Sequence, residues 1–316
     1  LLIRPSSIRF VELTTSSLAL TLGVLKRFGF ACEARPYKGR TVLRHEGITL
    51  FVTSPKPEKF DHVRLETYVS RIGLLCQEGK SAGEVLSENQ DLASPCGVLF
   101  HVIDQKQWHE WESQREFPEC PRQGPFLSHI DHVALNLFPT QLELMGRWLE
   151  ASFGMTALPP HEIKGHSTSF LCSPYEGPSF SIVLNTSTCA TSQITAFLEA
   201  SQGASVQHIA FATRDIFRAI EKVRQKGVPF IEIPSLYYDA LEREIPLHPN
   251  QVSVLKHAGV LYDQDLNTPD HQLLQTFTRD LFGPIFFELI ERRARRGFGE
   301  GNIEALFKAV EAQTKR

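Results

Sequence analysis

Several things are missing from this chain of 316 residues, and each absence closes a class of function. Its six cysteines (Cys32, Cys76, Cys96, Cys120, Cys172 and Cys189) include no CxxC spacing. That excludes zinc ribbons and dithiol redox motifs and goes with a reducing compartment. No apolar run is long enough to span a bilayer, and the longest, Leu18 to Leu25, carries Thr21 inside it. The opening stretch LLIRPSSIRFVEL has no uninterrupted apolar core of the signal-peptide kind, so a cytoplasmic location is the expectation. The first residue is Leu, which leaves the native start open. An excess of one charge is also lacking. With a net charge of −3 there is no general electrostatic case for nucleic acid or an anionic membrane as partner. The one basic cluster, Arg292-Arg293-Ala294-Arg295-Arg296, is too isolated to change this and reads as a solvated turn or helix end.

What remains is 42% apolar and 22% charged, the balance of a globular protein with a sizeable core. Four segments share an alternating strand followed by a helical stretch, the second leading to a polar stretch around Trp108 and Trp111. They begin at Ile8–Leu13, Val98–Ile103, Ile130–Leu135 and Val206–Phe211. In the first, third and fourth copies the helix ends at Gly29, Gly154 and Gly227, where glycine accepts the left-handed turn of a C-cap. More strands follow each helix, such as 47–54 and 178–185, so each unit reads as strand, helix, strands. Four units make two domains, 1–125 and 126–316, with the boundary in the Pro- and Gly-rich PECPRQGPF, 118–126.

Aligned this way, the middle of the first strand is Phe10, Phe100, His132 and His208. A histidine on an apolar strand face is more often a satisfied core residue than a ligand. Two at equivalent positions of related units point toward a ligand role. Glu288 raises the same question, because it interrupts the apolar run Ile285-Phe286-Phe287-Glu288-Leu289-Ile290. An unpaired carboxylate in such a place costs several kcal/mol. A sheet-edge position or a salt bridge to a nearby arginine would answer it. So would a metal held by two imidazoles and one carboxylate, the facial triad of non-haem Fe(II) with open positions for substrate and O₂. Glu291, out of phase with Glu288, reads as a surface or salt-bridged residue.

From His129 to about Glu311 the motifs HIDHVALN, SQITAFLEASQGASVQHIAF, VPFIEIPSLYYDAL, LLQTFT, FFELIERR and GFGEGNIEALFKAV occur in order. Together they resemble the 4-hydroxyphenylpyruvate dioxygenase family of the vicinal-oxygen-chelate superfamily. The N-terminal 120 residues resemble it in layout only, as the family's metal-free domain would. The resemblance implies an α+β fold of two domains, each of paired βαβββ modules forming a curved, partly open barrel, with a covering helix at 302–315. It implies Fe(II) on His132, His208 and Glu288, and conversion of 4-hydroxyphenylpyruvate and O₂ to homogentisate and CO₂. The implied substrate pocket comprises Gln193, Gln207, Gln275, Phe277, Asn185, Phe298, Asn302, Ile303 and Phe307, with Gln193 and Gln275 close to the chemistry. Thr168 or Ser169 lies near the family's pocket serine. Bottom up, each glutamine is equally a surface or core amide. The stripe Ile303, Leu306, Phe307, Val310 is equally an ordinary docking face. A homodimer or homotetramer and a role in tyrosine breakdown are further family expectations.

Two positions depart from the pattern. The family's GFGxGNF reads GFGEGNI here, so Ile303 replaces a phenylalanine expected to press on the substrate ring. Val183 replaces a proline two residues before Asn185. The related hydroxymandelate synthase hydroxylates the benzylic carbon of the same substrate and resembles this chain in having isoleucine at that place. Asn185 and Phe307 match the dioxygenase. A metal-free sequestering protein and a glyoxalase-like or ring-cleaving enzyme are the other readings. The first has no need of three buried ligands, and the set of motifs disfavours the second.

Overall fold

The structure, a computed structural model, describes residues 3–55, 67–76, 91–116, 124–165, 167–265, 268–294, 297, 299, 301–305 and 307–308. Strands of alternating or wholly apolar residues form one strongly branched sheet. In the first half, β1 (Pro5–Thr15) lies parallel to β4 (Ile48–Thr53) and antiparallel to β5 (Thr67–Cys76). Strand β5 runs parallel to β7 (Leu99–Asp104), which carries the short β6 (Asp91–Ala93) at its far edge. The small β2 (Ala31–Cys32) and β3 (Thr41–His45) extend the sheet beyond β4.

The second half repeats this plan. Strand β8 (His129–Leu137) is parallel to β12 (Ser181–Ser187) and antiparallel to β13 (Ser205–Ala212). Strand β13 is parallel to β16 (Phe286–Arg293), followed outward by β15 (Thr268–Phe277) and β14 (Leu261–Asp265). On the other side, β9 (Thr156–Ala157), β10 (His161–Lys164) and β11 (Ser169–Glu176) complete the edge. Among the described residues, the strands of the two halves pair directly at Ile8 with Ile130, where β1 meets β8.

This topology corrects one expectation. The strand at Val98–Ile103 is not the first strand of the second repeat. Paired parallel to β5, β7 is that unit's last strand, as β16 is in the fourth unit. Phe100 accordingly faces away from the inner surface and packs on Trp148, ring centroids 5.1 Å apart.

Two irregularities confirm the true correspondence. Between β8 and β13 the register passes over Asp131 on one strand and Gln207 on the other. Between β1 and β5 it passes over Arg9 and Ser70 at matching places. An extra residue of this kind bends a strand and redirects side chains, so both halves curve at the same points.

Helices cover the sheet where local chemistry starts and stops them. Helix α1 (Leu18–Arg27) and helix α3 (Pro139–Phe153) lead to Gly29 at φ +97° and Gly154 at φ +61°, and α2 is Gln105–Ser113. Ser192 caps α4 (Gln193–Ser201), and Asp215 caps α5 (Ile216–Gln225), which ends just before Gly227 at φ +77°. Helices α6 (Ser235–Glu244) and α7 (Pro249–Ala258) link β13's unit to β14. Of the expected C-terminal helix, residues 301–305 and 307–308 are helical. Leu306, Val310, Phe298, Cys120 and the boundary stretch 118–123 lie outside the described residues.

Candidate metal centre

The inner face of the second half brings His132, His208 and Glu288 together, with one ligand-type atom from each within 4.8 Å of the others. Register explains the meeting. His208 lies opposite Ala134, two residues along from His132, and Ala210 sits between His132 and Glu288 on adjacent strands. The two histidine Nε2 atoms are 3.3 Å apart, and Glu288 Oε2 lies 3.3 Å from His132 Nε2 and 3.6 Å from His208 Nε2. Ligand atoms about 2.1 Å from one cation at angles near 90–110° would stand roughly 3.0–3.4 Å apart. The cluster therefore fits a single divalent ion.

The outer atoms of the ligands are held as well. His132 Nδ1 lies 2.8 Å from Asp131 Oδ1, and His208 Nδ1 lies 3.2 Å from Gln207 Oε1. Each partner is placed to accept the Nδ1–H, the tautomer in which a neutral ring turns its Nε2 lone pair to the centre. Arg292 in turn donates to both oxygens of Asp131, Nε at 2.7 Å and Nη2 at 2.9 Å, and Nη1 reaches the carbonyl of Gly297 at 2.5 Å. Despite its burial, Asp131 is held well below the usual carboxylate range by Arg292 and His132, so it stays ionised. This revises the reading of the basic cluster, since Arg292 is a partner of the centre and not part of a solvated turn.

Without a cation, charge gathers on the histidines. Burial opposes protonation of His132, but the Glu288 and Asp131 carboxylates outweigh it and raise its pKa to about 9. His208 moves the other way, lowered by burial and by the neighbouring charge on His132. One proton shared near a buried carboxylate is the weaker substitute for a metal ion.

Glu288 uses its second oxygen too. Oε1 accepts from Gln275 Nε2 at 2.9 Å, and Gln275 Oε1 accepts from Asn302 Nδ2 at 2.9 Å. Asn302 Oδ1 accepts from the Tyr237 hydroxyl at 2.9 Å. Gly299, at φ +64°, fits against this chain because a Cβ there would stand 2.7 Å from Gln275 Oε1.

The centre opens into a largely apolar cavity of about 560 Å³. Of the expected pocket residues, Asn185, Gln193, Gln207, Gln275, Phe277, Ile303 and Phe307 line it. Asn302 stands one layer out, bound to Gln275, and Phe298 is outside the described residues. Ser169 and Thr168 do not line the cavity, and Ser169 Oγ bonds the Thr188 hydroxyl. Phe286 stacks on the His208 ring at 4.9 Å, and Phe307 meets Phe170 edge-on at 4.9 Å. Gln193 Nε2 donates to the carbonyl of Phe307 at 3.3 Å, tying α4 to the covering segment.

Sequence reasoning missed Asp131, Arg292 and Tyr237. Asp131 had a signal, since it is a second charge inside an apolar strand beside a candidate ligand. Arg292 and Tyr237 had none, because their partners lie 161 and 65 residues away. Glu291, expected at the surface or in a salt bridge, is buried, pairs with Arg293 at 2.7 Å, and accepts the Ile216 backbone N–H at 2.9 Å.

Comparison with known proteins bears directly on this centre. A family model for the Glyoxalase/Bleomycin resistance protein/Dioxygenase superfamily matches residues 129–243. A 4-hydroxyphenylpyruvate dioxygenase of Legionella pneumophila (strain Corby) is 31% identical over 249 residues, covering 77% of this chain and 70% of that protein. The enzyme of the same name from Pseudomonas aeruginosa is 34% identical over 187 residues, 58% of this chain and 52% of the relative. Among solved structures, a triple mutant of 4-hydroxymandelate synthase from Streptomyces coelicolor matches with a TM-score of 0.82 and 25% identity, covering 99% of this chain and 100% of that one. The curved, open α+β sheet is the vicinal-oxygen-chelate fold.

Proposed function

Because the chain belongs to the 4-hydroxyphenylpyruvate dioxygenase family, we propose that it is an Fe(II)-dependent dioxygenase converting 4-hydroxyphenylpyruvate and O₂ to homogentisate and CO₂. The observation that carries this reading is the buried carboxylate Glu288 facing the Nε2 atoms of two imidazoles at the floor of a mainly apolar cavity. His132, His208 and Glu288 would hold the iron. When bound, Fe(II) supplies coordination for the 2-oxo acid and for O₂, so that one oxygen atom ends in the new carboxylate and the other on the product skeleton.

The chain's own residues do the rest. Asp131 and Gln207 keep the imidazoles in the ligating tautomer. Phe277, Ile303 and Phe307 supply the apolar walls for the substrate ring, and their packing excludes water from the reacting carbons. Gln193 and Asn185 present amides that could hold the phenol. Asn185 Oδ1 is buried with no hydrogen-bond partner among the described residues, as a group awaiting a ligand would be. Gln275 acts from behind Glu288 and fixes the carboxylate by its amide N–H.

Ile303 supports a second reading, benzylic hydroxylation to 4-hydroxymandelate. The experiment is aerobic incubation with Fe(II), ascorbate and 4-hydroxyphenylpyruvate. The two products are isomers, so chromatography against standards or NMR must separate them. Homogentisate upholds the first reading, hydroxymandelate replaces it with the second, and absence of O₂ uptake removes both. A division into a metal-free domain, 1–125, and a catalytic domain, 126–316, belongs to the same proposal. So do a cytoplasmic homodimer or homotetramer and a place in tyrosine breakdown. Among the described residues no helix is long and apolar enough to cross a membrane.

A further inference from the structure

Two of the three ligand residues are tethered outward, and both tethers end on the same short stretch of chain. From Glu288 the tether runs through Gln275 to Asn302, and on to the Tyr237 hydroxyl of α6, every link 2.9 Å long. From His132 it runs through Asp131 and Arg292 to the carbonyl of Gly297. Gly297 and Asn302 stand five residues apart, at the head of the covering segment.

The tether from Glu288 has a fixed direction. A carboxylate oxygen only accepts, so Gln275 presents its amide NH₂ to Glu288 and its carbonyl to Asn302. Asn302 then donates from Nδ2, and its Oδ1 accepts from Tyr237. Gln275 and Asn302 are only 2% and 1% exposed. Breaking a link therefore leaves a buried amide group unpaired.

Ordering the head of the segment is costly. Gly297 and Gly299 take φ values of +100° and +64°, and glycine loses more conformational freedom on folding than any other residue. Past Gly299 the Ile303 N–H donates to the Gly299 carbonyl at 3.0 Å, which begins the helical turn. Ile303 follows Asn302 directly, and with Phe307 it walls the cavity. Whatever seats Asn302 also seats that wall.

We propose that filling of the metal centre is coupled to seating of the covering segment, with Asn302 as a positioning residue for Glu288. The proposal rests on the metal centre put forward above. A cation held by Glu288 Oε2 and His132 Nε2 fixes where Oε1 and Nδ1 point, and so holds both tethers taut. The coupling is reciprocal: a seated segment tightens the metal by the factor by which the metal steadies the segment. The wall for the substrate ring is complete only on a loaded centre, so metal precedes the aromatic 2-oxo acid in the order of binding.

The test is hydrogen–deuterium exchange of the full chain with and without Co(II), with affinity read by calorimetry. Co(II) should slow exchange in peptides covering residues 299–305 by about 10-fold, a usual size for coupled sites. Helix α2, in the other half, should exchange unchanged. Asn302→Asp keeps the side chain's shape but cannot donate to Gln275. It should weaken Co(II) binding by the same factor and lose the Co(II)-dependent slowing. Glu291→Ala, which removes a hydrogen bond belonging to neither tether, should keep both. A parent chain that binds no Co(II) removes the metal centre, and this coupling with it. A parent that binds Co(II) while 299–305 exchange as before overturns the coupling alone, whether or not any variant folds. So does Asn302→Asp with parental affinity, or Glu291→Ala with the same losses as Asn302→Asp.

Discussion

Asp131 and Glu288 show how different two buried carboxylates can be within one centre. On the proposed reading Glu288 is a metal ligand, so Glu288→Gln should abolish stoichiometric Fe(II) or Co(II) binding while the chain stays folded, read by calorimetry and circular dichroism. A variant that still binds one equivalent would remove Glu288 from the ligand set. Asp131 acts through His132, and Asp131→Ala is expected to weaken metal binding by about 10–100-fold, the usual loss when the outer partner of a ligand histidine is removed. Unchanged affinity would mean that the hydrogen bond is incidental. The triad was legible in the sequence because a charge inside an apolar strand demands a partner, and Glu288 displayed that demand openly. Arg71, inside Val69-Ser70-Arg71-Ile72-Gly73, displays it too, and the same logic would have marked β5 as the true counterpart of β13. The alternation around Phe100 concealed this, since first and last strands of a unit share one pattern, and only pairing direction separates them.

Among the elements, α5 illustrates how a helix start is bound to the site's own strand. Asp215 Oδ1 accepts the Arg218 backbone N–H at 3.0 Å, and Glu291 on β16 accepts that of Ile216 at 2.9 Å. A carboxylate at a helix N-terminus is favoured by the free N–H groups and the dipole. Glu291→Ala leaves a buried donor unsatisfied and should cost about 1–3 kcal/mol, measured as a lower urea midpoint. Co(II) affinity should be unaffected, since Glu291 faces away from the triad. Loss of metal binding in step with stability would refute that separation. Three residues apart on one strand, the two glutamates should thus fail in opposite ways. The strands, the helix-ending glycines and the apolar stripes were visible from periodicity. The pairing of Glu291 with α5 was not, because it spans 75 residues and depends on the sheet's topology.

At the scale of the molecule, His45 ties the first half to the segment entering β8. Its Nδ1 lies 3.0 Å from the Gly29 carbonyl, and its Nε2 accepts the backbone N–H groups of Phe126 and Leu127, each at 3.1 Å. Acceptance at Nε2 requires the neutral ring. Burial lowers the pKa from 6.5 to about 4, the Gly29 hydrogen bond opposing and Lys226 assisting. Above pH 6.5 neither folded nor unfolded chain protonates this group, and its contribution is complete. Between there and about pH 4 only the unfolded chain takes up the proton, so stability falls, by at most about 3.5 kcal/mol at roughly 1.4 kcal/mol per unit. Urea unfolding at pH 7, 6 and 5 should show the decline in the parent chain and a flatter profile in His45→Gln. Identical profiles would exclude His45 as its source.

The bulges in β8 and β13 have one more consequence. In a regular strand neighbouring residues point to opposite faces, so a ligand and the residue before it could never touch. Here the supernumerary residue of each bulge is the one that precedes a histidine, Asp131 before His132 and Gln207 before His208, and each turns back to grip that ring. The aim of both imidazoles is therefore inherited from a defect in the weave rather than from distant scaffolding. Straightening either strand by deleting that residue would leave the paired positions in register and strip one imidazole of the partner that aims it.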